Sequence, residues 1–218
     1  MKAMILAAGH GTRMRPLTDH TPKPLLEARG KPLIVWHIEK LAAAGYRDIV
    51  INIAWLGYQI PEALGDGTRW NVNLLYSDEQ DEVALETAGG IVKALPLLGE
   101  EPFLAVNGDV WCDFAFEPYR LAADDLAHLI LVKNPDHNPA GDFALQSDRV
   151  KTVTSGERYT YSGIAYYHPD LFRGLEYGNR RVPSVLQAAM QNKRVSGELY
   201  QGEWLDVGTP QRLAELNQ

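Results

Sequence analysis

The sequence is poor in cysteine and in long apolar runs. Cys112 is the only cysteine among the 218 residues, so no disulfide can form within the chain, which fits a reducing compartment. No stretch approaches the roughly 20 apolar residues that span a bilayer. The apolar run at the start ends at Ala8 and lacks the basic segment of a signal peptide. We therefore expect a cytoplasmic protein without a membrane partner.

The sequence also lacks an excess of positive charge. Its 28 acidic residues outnumber its 21 lysines and arginines, which gives a formal net charge of −7 and an isoelectric point near 5.4. A surface of that sign speaks against non-specific binding to nucleic acid. Repeats, linkers and low-complexity segments are missing as well. The length fits one domain over residues 1–218, with room for a small additional lobe.

Several familiar catalytic patterns are missing. The six histidines show no metal-ligand spacing, and the chain has neither a Ser/His/Asp order nor a reactive-cysteine context, so we expect no covalent intermediate. A Walker loop would need Gly-Lys-Ser/Thr, which is absent. The dinucleotide fingerprint needs a third glycine where Met14 stands, and Pro16 argues against a helix opening there. A dehydrogenase-like dinucleotide binder is therefore disfavoured.

The first 24 residues carry the most informative pattern. Residues 1–8 form an almost continuous apolar run that predicts a buried parallel strand. Gly9 and Gly11 follow, and two glycines allow a sharp turn that brings backbone N–H groups close to an anion. Arg13 and Lys23 add cations to the same loop, while three prolines prevent a helix. The loop therefore predicts a site for the phosphates of a nucleoside triphosphate.

Strand and helix patterns alternate along the chain, which predicts an α/β fold with a Rossmann-like, mainly parallel sheet flanked by helices. The predicted strands are 1–8, 48–53, 72–76, 102–106, 128–133, 142–146, 149–153, 160–168 and 203–206. The predicted helices are 31–44, 56–64, 87–95, 181–192 and 209–216. Ligands of such sheets bind at the carboxyl ends of the strands.

Two aspartates stand in such positions. Asn107-Gly-Asp109 follows the predicted strand 102–106, and Asp206 ends the strand 203–206 before Val-Gly-Thr-Pro. Asn-Gly and Gly-Asp are also common in turns, and an aspartate near a helix start can cap it, so a purely structural role is open for both acids. Alternatively, carboxylate oxygens together with phosphates suit Mg²⁺.

The string L-A-A-G-x-G-T-R-M-x-P-L-T, followed by P-K-P-L, spans Leu6 to Leu25 and resembles the sugar-1-phosphate nucleotidyltransferases, or nucleotide-sugar pyrophosphorylases. The resemblance implies the type A nucleotidyltransferase fold with a small sugar-binding lobe. It also implies transfer of a nucleoside monophosphate from a triphosphate to a sugar-1-phosphate, with release of pyrophosphate. Mg²⁺ is the implied cofactor, with Asp109 and Asp206 as its ligands. No hexapeptide repeat follows, so the chain resembles the bare transferase domain.

The resemblance also implies roles for individual residues. The catalytic residues would be Arg13, which neutralises the leaving pyrophosphate, Lys23, which bridges the two reacting phosphates, and the two aspartates. The implied nucleotide-binding residues are Ala8, Gly9, Gly11, Thr12, Arg13, Lys23, Thr87 and Asn107. The implied sugar-binding residues are Asp142, Gly163, Arg180 and Arg181.

Structural alternatives stay open for four of these residues. Thr87 could simply cap a helix. Asp142 could begin a hairpin, and at least one of Arg180 and Arg181 could be a solvated surface residue. Glu86 replaces a glycine that is common in the family, which leaves the choice of nucleobase open. The loop 78–82 would add contacts to the base.

Within the family, the short chain resembles the N-acetylmuramate-1-phosphate uridylyltransferases of cell-wall recycling. The resemblance lies in the L-E-T-x-G-G turn, the G-D-F segment, the S-G-I strand and the closing W-x-D-V-G-T string. UTP and that sugar phosphate are the implied substrates. The alternatives are a mannose-1-phosphate guanylyltransferase, a glucose-1-phosphate thymidylyltransferase and a non-catalytic homologue that binds nucleotide sugars. The pattern indicates no particular oligomeric state.

Overall fold

A nine-stranded sheet forms the centre of the computed structural model, which describes residues 1–81, 85–152 and 156–218. The strands are β1 (Lys2–Leu6), β2 (Glu27–Ala28), β3 (Lys31–Pro32), β4 (Asp48–Ile53), β5 (Asn73–Asp78), β6 (Phe103–Asn107), β7 (Val110–Cys112), β8 (Ala127–Val132), β9 (Ala144–Gln146), β10 (Arg149–Lys151), β11 (Thr160–Tyr167), β12 (Val195–Leu199) and β13 (Trp204–Asp206). The α-helices are α1 (Leu33–Ala43), α2 (Gln59–Leu64), α3 (Glu86–Leu98), α4 (Val182–Gln191) and α5 (Pro210–Leu216). Short 3₁₀ turns cover Thr12–Met14, Lys23–Leu25, Thr68–Trp70 and Pro169–Leu171.

The strand order is β5-β4-β1-β6-β11-β8-β12-β10-β9. The first four strands of this order run parallel, and Ile5 of β1 lies beside Ile51 and Val106 of its two neighbours. β11 is antiparallel to both β6 and β8, so the second half of the sheet is mixed. The predicted α/β class with a sheet flanked by helices is therefore confirmed.

Alternate side chains of the strands face two different helical layers. Ala3 and Ile5 pack in one cluster with α1 and α2, whereas Met4 packs in another with α3 and α4. Because both faces of the sheet are covered, its central strands are apolar without alternation. No helix in the described part of the chain is both long and apolar enough to cross a membrane.

Four strands were not predicted: β2, β3, β7 and β12, of which β3 takes the first two residues of the predicted helix 31–44. β12, which runs parallel to β8, contains a glycine and a glutamate that weaken its pattern. β7 has only three residues and pairs with β13 in a separate two-stranded sheet. The hairpin over Ser147-Asp148 is confirmed as β9 and β10, although Val153 of the predicted second strand lies outside the described residues. The predicted helix 56–64 begins only at Gln59, because Leu56 has a left-handed φ of 51°.

The carboxyl ends of the parallel strands lie at one edge of the sheet. β1 ends at Leu6, β4 at Ile53 and β6 at Asn107, and the chain leaves each strand into a loop on that side. β7 then follows β6 after Gly108 and Asp109, so it extends from the same edge. This edge is where a ligand of a parallel sheet is expected.

His37 is a buried titratable group in the layer behind this edge. It lies on α1, is 2% exposed and packs edge-on against Phe116, with ring centroids 5.9 Å apart. Neither ring nitrogen has a hydrogen-bond partner within the described residues. Burial disfavours the charged ring and lowers the pKa of His37 to about 4.

The pKa of His37 predicts a stability change with pH. Between pH 6.5 and pH 4 the histidine of the unfolded chain is protonated, whereas that of the folded chain is neutral. The contribution of His37 to the free energy of unfolding is therefore complete above pH 6.5 and is lost as the pH falls toward 4. The contribution lost is about 3 kcal/mol. We expect His37→Leu to remove this part of the pH dependence in urea unfolding curves measured between pH 7 and pH 4. Identical slopes for the variant and the wild type would contradict the assignment.

Candidate active site

A cavity of about 560 Å³ opens at the carboxyl edge of the parallel strands. Loops after β1, β4, β5 and β6 line it, together with the first turn of α3. Trp55 and Leu56 give part of its wall an apolar character, while Glu79 and Gln80 supply polar groups. Its size and mixed lining suit a planar base with a polar edge.

The glycine loop forms one side of this cavity. Ala8 and Gly9 line the cavity, whereas Gly11 and Thr12 shape the loop behind it. Gly11 adopts φ 63°, and a Cβ there would stand 2.9 Å from the side chain of Thr18. The Thr18 hydroxyl donates to the Gly11 carbonyl at 2.8 Å. Glycine is therefore required at position 11 by both conformation and space.

Lys23 carries a buried positive charge next to the loop. Its side chain is 10% exposed, and Nζ donates to Asp109 Oδ2 at 2.6 Å. A buried ammonium group is costly unless a carboxylate compensates it, so the pair depends on both members. Pro22 and Pro24 flank the lysine and restrict its backbone.

A second polar network lies deeper in the first cavity. Asn52 accepts from the Ala7 backbone N–H at 2.8 Å, and its Nδ2 donates to Glu79 Oε1 at 2.8 Å. Glu79 is 5% exposed and lines the cavity. A Cβ on Gly90 would stand 2.7 Å from Glu79 Oε1, so glycine at position 90 leaves the space that the Glu79 carboxylate occupies.

The L-E-T-A-G-G segment closes the cavity with a strained turn. Glu86, the first residue of α3, has a φ of 59°, which is uncommon for a residue other than glycine. Glu86 and Thr87 both line the cavity. Thr87 lies inside the first turn of α3 rather than capping it, since the helix begins one residue earlier.

A second cavity of about 330 Å³ lies beside the first. Asn107 and Asp109 line both cavities and so mark their junction. Arg13 reaches the second cavity from the glycine loop. The remaining lining residues come mainly from the loop 137–138, from β11 and from β13, and they are Val110, His137, Asn138, Thr160, Tyr161, Ser162, Gly163, Trp204 and Asp206.

A bulge in β11 shapes this second cavity. The register of β11 against β8 shifts between Tyr161 and Ile164, and Gly163 has a φ of 80°. A Cβ on Gly163 would stand 2.6 Å from Asn107 Nδ2. Trp204 Nε1 donates to the Ser162 carbonyl at 2.9 Å and so ties β13 to the bulge. The predicted sugar-site glycine therefore faces the junction of the cavities.

The two predicted metal-binding aspartates come together through β7 and β13. Asp206 lies opposite Val110, and the backbone N–H of Val207 donates to the Asp109 carbonyl at 2.8 Å. Asp206 Oδ2 accepts from Arg212 Nη1 at 2.7 Å and lies 3.2 Å from His137 Nε2. The structure therefore brings Arg13, Asp109 and Asp206 to one cavity, and Lys23 forms an ion pair with Asp109.

These carboxylates fit a hard cation that completes its shell elsewhere. No group of three or more His, Cys, Asp or Glu side chains within the described residues forms a closed metal site. Mg²⁺ does not need one, since it binds through one or two carboxylates, substrate phosphates and water. The second cavity is lined by both carboxylates and is large enough for phosphates.

The other predicted sugar-binding residues lie elsewhere. Asp142 accepts from the Tyr161 backbone N–H at 2.8 Å, so it supports the wall of the second cavity from outside. The Arg180 carbonyl accepts from the N–H groups of Ala88 and Gly89 and caps α3. Arg181 lies 3.8 Å from Glu86 on the side of the first cavity. Sugar binding by these arginines stays a prediction.

Sequence reasoning missed several residues of the site. Glu79 belongs to the loop 78–82, in which no single residue was assigned, and its partner Asn52 comes from another strand. His137 is not part of a sequence motif with the residue spacing of a metal site, so no pattern in the sequence singled it out. Arg212 could have been found, because Thr209 is the cap of α5 and the residue three positions after a cap points back toward it.

The chain is similar to proteins of known activity. Residues 2–218 match the family described as Nucleotidyl transferase. The N-acetylmuramate alpha-1-phosphate uridylyltransferase of Neisseria meningitidis is 54% identical over 223 residues, which cover 99% of this chain and 96% of that protein. The mannose-1-phosphate guanyltransferase of Schizosaccharomyces pombe is 34% identical, and the match covers 96% of this chain and 61% of that protein.

A solved structure shares the fold. A provisional glucose-1-phosphate thymidylyltransferase from Bacillus anthracis, in complex with a sucrose, superposes with a TM-score of 0.86. The superposition covers 100% of this chain and 94% of that one, at 22% sequence identity. At 22% sequence identity, the superposition shows a shared fold only.

The strained turn at position 86 predicts an unusual stability effect. Glu86→Gly removes a side chain from a left-handed position, so we expect the free energy of unfolding to rise by about 1 kcal/mol. The lost contact with Arg181 is solvent-exposed and worth little. Glu62→Gly, in α2, is the matched control and should destabilise by about 1 kcal/mol. Urea unfolding measures both, and losses of equal size would refute the strain argument.

Proposed function

The chain belongs to the nucleotidyl transferase family, and we propose that it transfers uridine monophosphate from UTP to N-acetylmuramate-1-phosphate, releasing pyrophosphate. The observation that carries the proposal is the meeting of two cavities at Asn107 and Asp109. One cavity would hold the nucleotide and the other the sugar, so the reacting phosphates would meet at the junction. The relative that is 54% identical over nearly the whole chain supports the choice of substrates.

The chemistry needs positioning and charge neutralisation more than proton transfer. A phosphate oxygen of the sugar-1-phosphate would attack the α-phosphorus of UTP, and that oxygen is already an anion. Its alignment with the α-phosphorus would replace an encounter in solution by a reaction within one complex. Donors that already point at the reacting phosphates would stabilise the charge that develops.

Lys23 and Arg13 are the cations proposed for this task. Lys23 is held at the junction by Asp109 and is restricted by flanking prolines, so its ammonium group is in place before substrate binds. We assign it to the α-phosphate and the incoming phosphate. Arg13 follows the glycine loop and lines the second cavity, and we assign its exposed guanidinium to the leaving pyrophosphate.

Asp109 and Asp206 would hold Mg²⁺, because both carboxylates line the second cavity and Asp109 also lines the first. When bound, it would supply charge neutralisation at the α-phosphate. Asp109 would then be shared between the cation and Lys23, so the lysine and the metal-binding group would be positioned by one side chain.

Glu79 and Asn52 are our assignment for nucleobase recognition. The carboxylate of Glu79 is buried in the first cavity and can accept a hydrogen bond from N3–H of uracil. The same carboxylate could accept from N1–H and N2–H of guanine. This observation, with the 34% identical guanyltransferase, keeps a mannose-1-phosphate guanylyltransferase as the second candidate.

The second cavity has groups suited to an acidic sugar. N-acetylmuramate differs from N-acetylglucosamine by a lactyl ether with a carboxylate at C3. Asn138 lines the cavity with a side-chain carbonyl that can accept from a sugar hydroxyl, and Arg13 adds a positive charge. That charge supports a sugar that carries more negative charge than its phosphate alone.

A matrix of substrates tests the proposed function. UTP, GTP and dTTP are each combined with the 1-phosphates of N-acetylmuramate, N-acetylglucosamine, mannose and glucose, and pyrophosphate release is measured with Mg²⁺. We expect UTP with N-acetylmuramate-1-phosphate to give the highest kcat/KM. Faster turnover of GTP with mannose-1-phosphate would overturn the substrate assignment and leave the reaction class standing. Pyrophosphate release from no pair would overturn both.

Lys23→Ala tests the role of the buried lysine. We expect the rate to fall by about 10²–10³, because one donor directed at developing charge is lost. Lys31→Ala is the matched control, since Lys31 also pairs with a carboxylate, that of Glu39, but lies in neither cavity. Circular dichroism and thermal unfolding establish that both variants fold. A normal rate for the folded Lys23 variant would remove the lysine from the mechanism.

A further inference from the structure

The carboxylate of Asp206 is held by two side chains that no assignment above uses. Arg212 Nη1 donates to Oδ2 at 2.7 Å, and His137 Nε2 lies 3.2 Å from the same oxygen. Within the described part of the chain, no hydrogen bond ends on Oδ1 of Asp206. One oxygen is thus committed to protein partners, while the other is not.

Helix α5 places the arginine. Thr209 caps the helix, and its Oγ1 accepts from the Arg212 backbone N–H at 3.3 Å and lies 3.4 Å from Arg212 Nε. The Arg212 side chain is only 14% exposed, so its guanidinium is restrained at both ends. The threonine of the closing motif therefore orients the arginine as well as starting the helix.

Gly208 gives the arginine and the aspartate room to meet. A Cβ at this position would stand 2.8 Å from Arg212 Nη2 and 2.9 Å from Asp206 Oδ1. Both distances are shorter than side-chain packing tolerates, so any larger residue would push the pair apart. The D-V-G-T-P-Q-R segment, residues 206–212, is therefore one structural unit in which aspartate, glycine, threonine and arginine depend on one another.

His137 packs against the pair formed by Arg212 and Asp206. Arg212 Nη1 lies 3.3 Å from His137 Nδ1 and 3.1 Å from Nε2. Since Nη1 is almost equally far from both ring nitrogens, it lies over the imidazole ring and not in line with either nitrogen. Three side chains from three different parts of the chain are thereby locked to one another at the wall of the second cavity.

We propose that Arg212 is a positioning residue that holds Asp206 in a single rotamer, ready to bind the divalent cation used with the nucleotide. This inference rests on the proposed function and on Mg²⁺ as its cofactor. Groups that hydrogen-bond a metal ligand from behind restrict its rotation, and their loss typically weakens metal binding or activity by about 10–100-fold. The opposite expectation is that Arg212 competes with the metal for the carboxylate.

Metal affinity, measured apart from turnover, separates these possibilities. The full-length protein is titrated with Mn²⁺ in the presence of α,β-methylene-UTP, which cannot react, and free Mn²⁺ is followed by electron paramagnetic resonance. The variants are Arg212→Gln, Arg212→Lys and Gly208→Ala. The control is Arg47→Gln, because Arg47 is an exposed residue before β4, at the opposite end of the sheet.

We expect the Kd of Mn²⁺ to rise at least about tenfold in Arg212→Gln and to rise less in Arg212→Lys. Gly208→Ala should weaken binding although the arginine is present, and Arg47→Gln should bind as the wild type does. Added Mg²⁺ should restore part of the lost rate. If Arg212→Gln fails to fold, judged by thermal unfolding, the other two site variants decide the outcome.

Two results would overturn the proposal. Unchanged or tighter Mn²⁺ binding in the folded Arg212→Gln variant would make the arginine a competitor or a structural residue. A lowered unfolding temperature without a change in Kd would make it a support of α5 only. Failure of the proposed function is seen separately, because the wild type would then release no pyrophosphate from any substrate pair.

Discussion

One backbone hydrogen bond, from the N–H of Val207 to the carbonyl of Asp109, sets the geometry on which the site depends. It lies directly beside the two-stranded sheet of β7 and β13, whose strands are far apart in sequence. Because β7 continues from β6, the second aspartate is delivered to the carboxyl edge of the main sheet. Without this pairing, Asp206 would have no fixed relation to Lys23 or to the glycine loop. The small sheet therefore converts two separate motifs into one site.

The site is also balanced in charge around these two carboxylates. Lys23 pairs with Asp109, and Arg212 pairs with Asp206, so each acid has one basic partner in place. Lys23 and Arg212 are largely buried, and a buried cation needs an anionic partner, so the pairing orders these side chains before any ligand arrives. Met14 links the halves, because it is fully buried in one cluster with Val207. Glu86, whose backbone has a left-handed φ, also lines the first cavity.

The sequence was sufficient for the parts of the fold that local patterns encode. The apolar run of β1, its glycine loop and the α/β alternation were predicted, and the contexts of Asp109 and Asp206 identified the acids that the structure brings together. With only three residues, β7 is too short to show a periodic sequence pattern. The position of Glu79 in the cavity wall depends on its hydrogen bond to Asn52, which lies on a different strand. Arg180 and Arg181 show the same limit, since capping of α3 by the Arg180 carbonyl is a tertiary contact. Local rules thus located the glycine loop, whereas the partners of each charged group required the structure.

The claim that Asp109 and Asp206 form one cation site at the junction of two substrate cavities can be tested most directly by crystallography. Crystals of the protein with Mn²⁺ and α,β-methylene-UTP would locate the metal by its anomalous signal. The account predicts one Mn²⁺ bound by both carboxylates and by a phosphate oxygen, with the uracil in the cavity lined by Glu79. A metal bound by neither aspartate, or by the phosphates alone with the two acids still paired to Lys23 and Arg212, would contradict it.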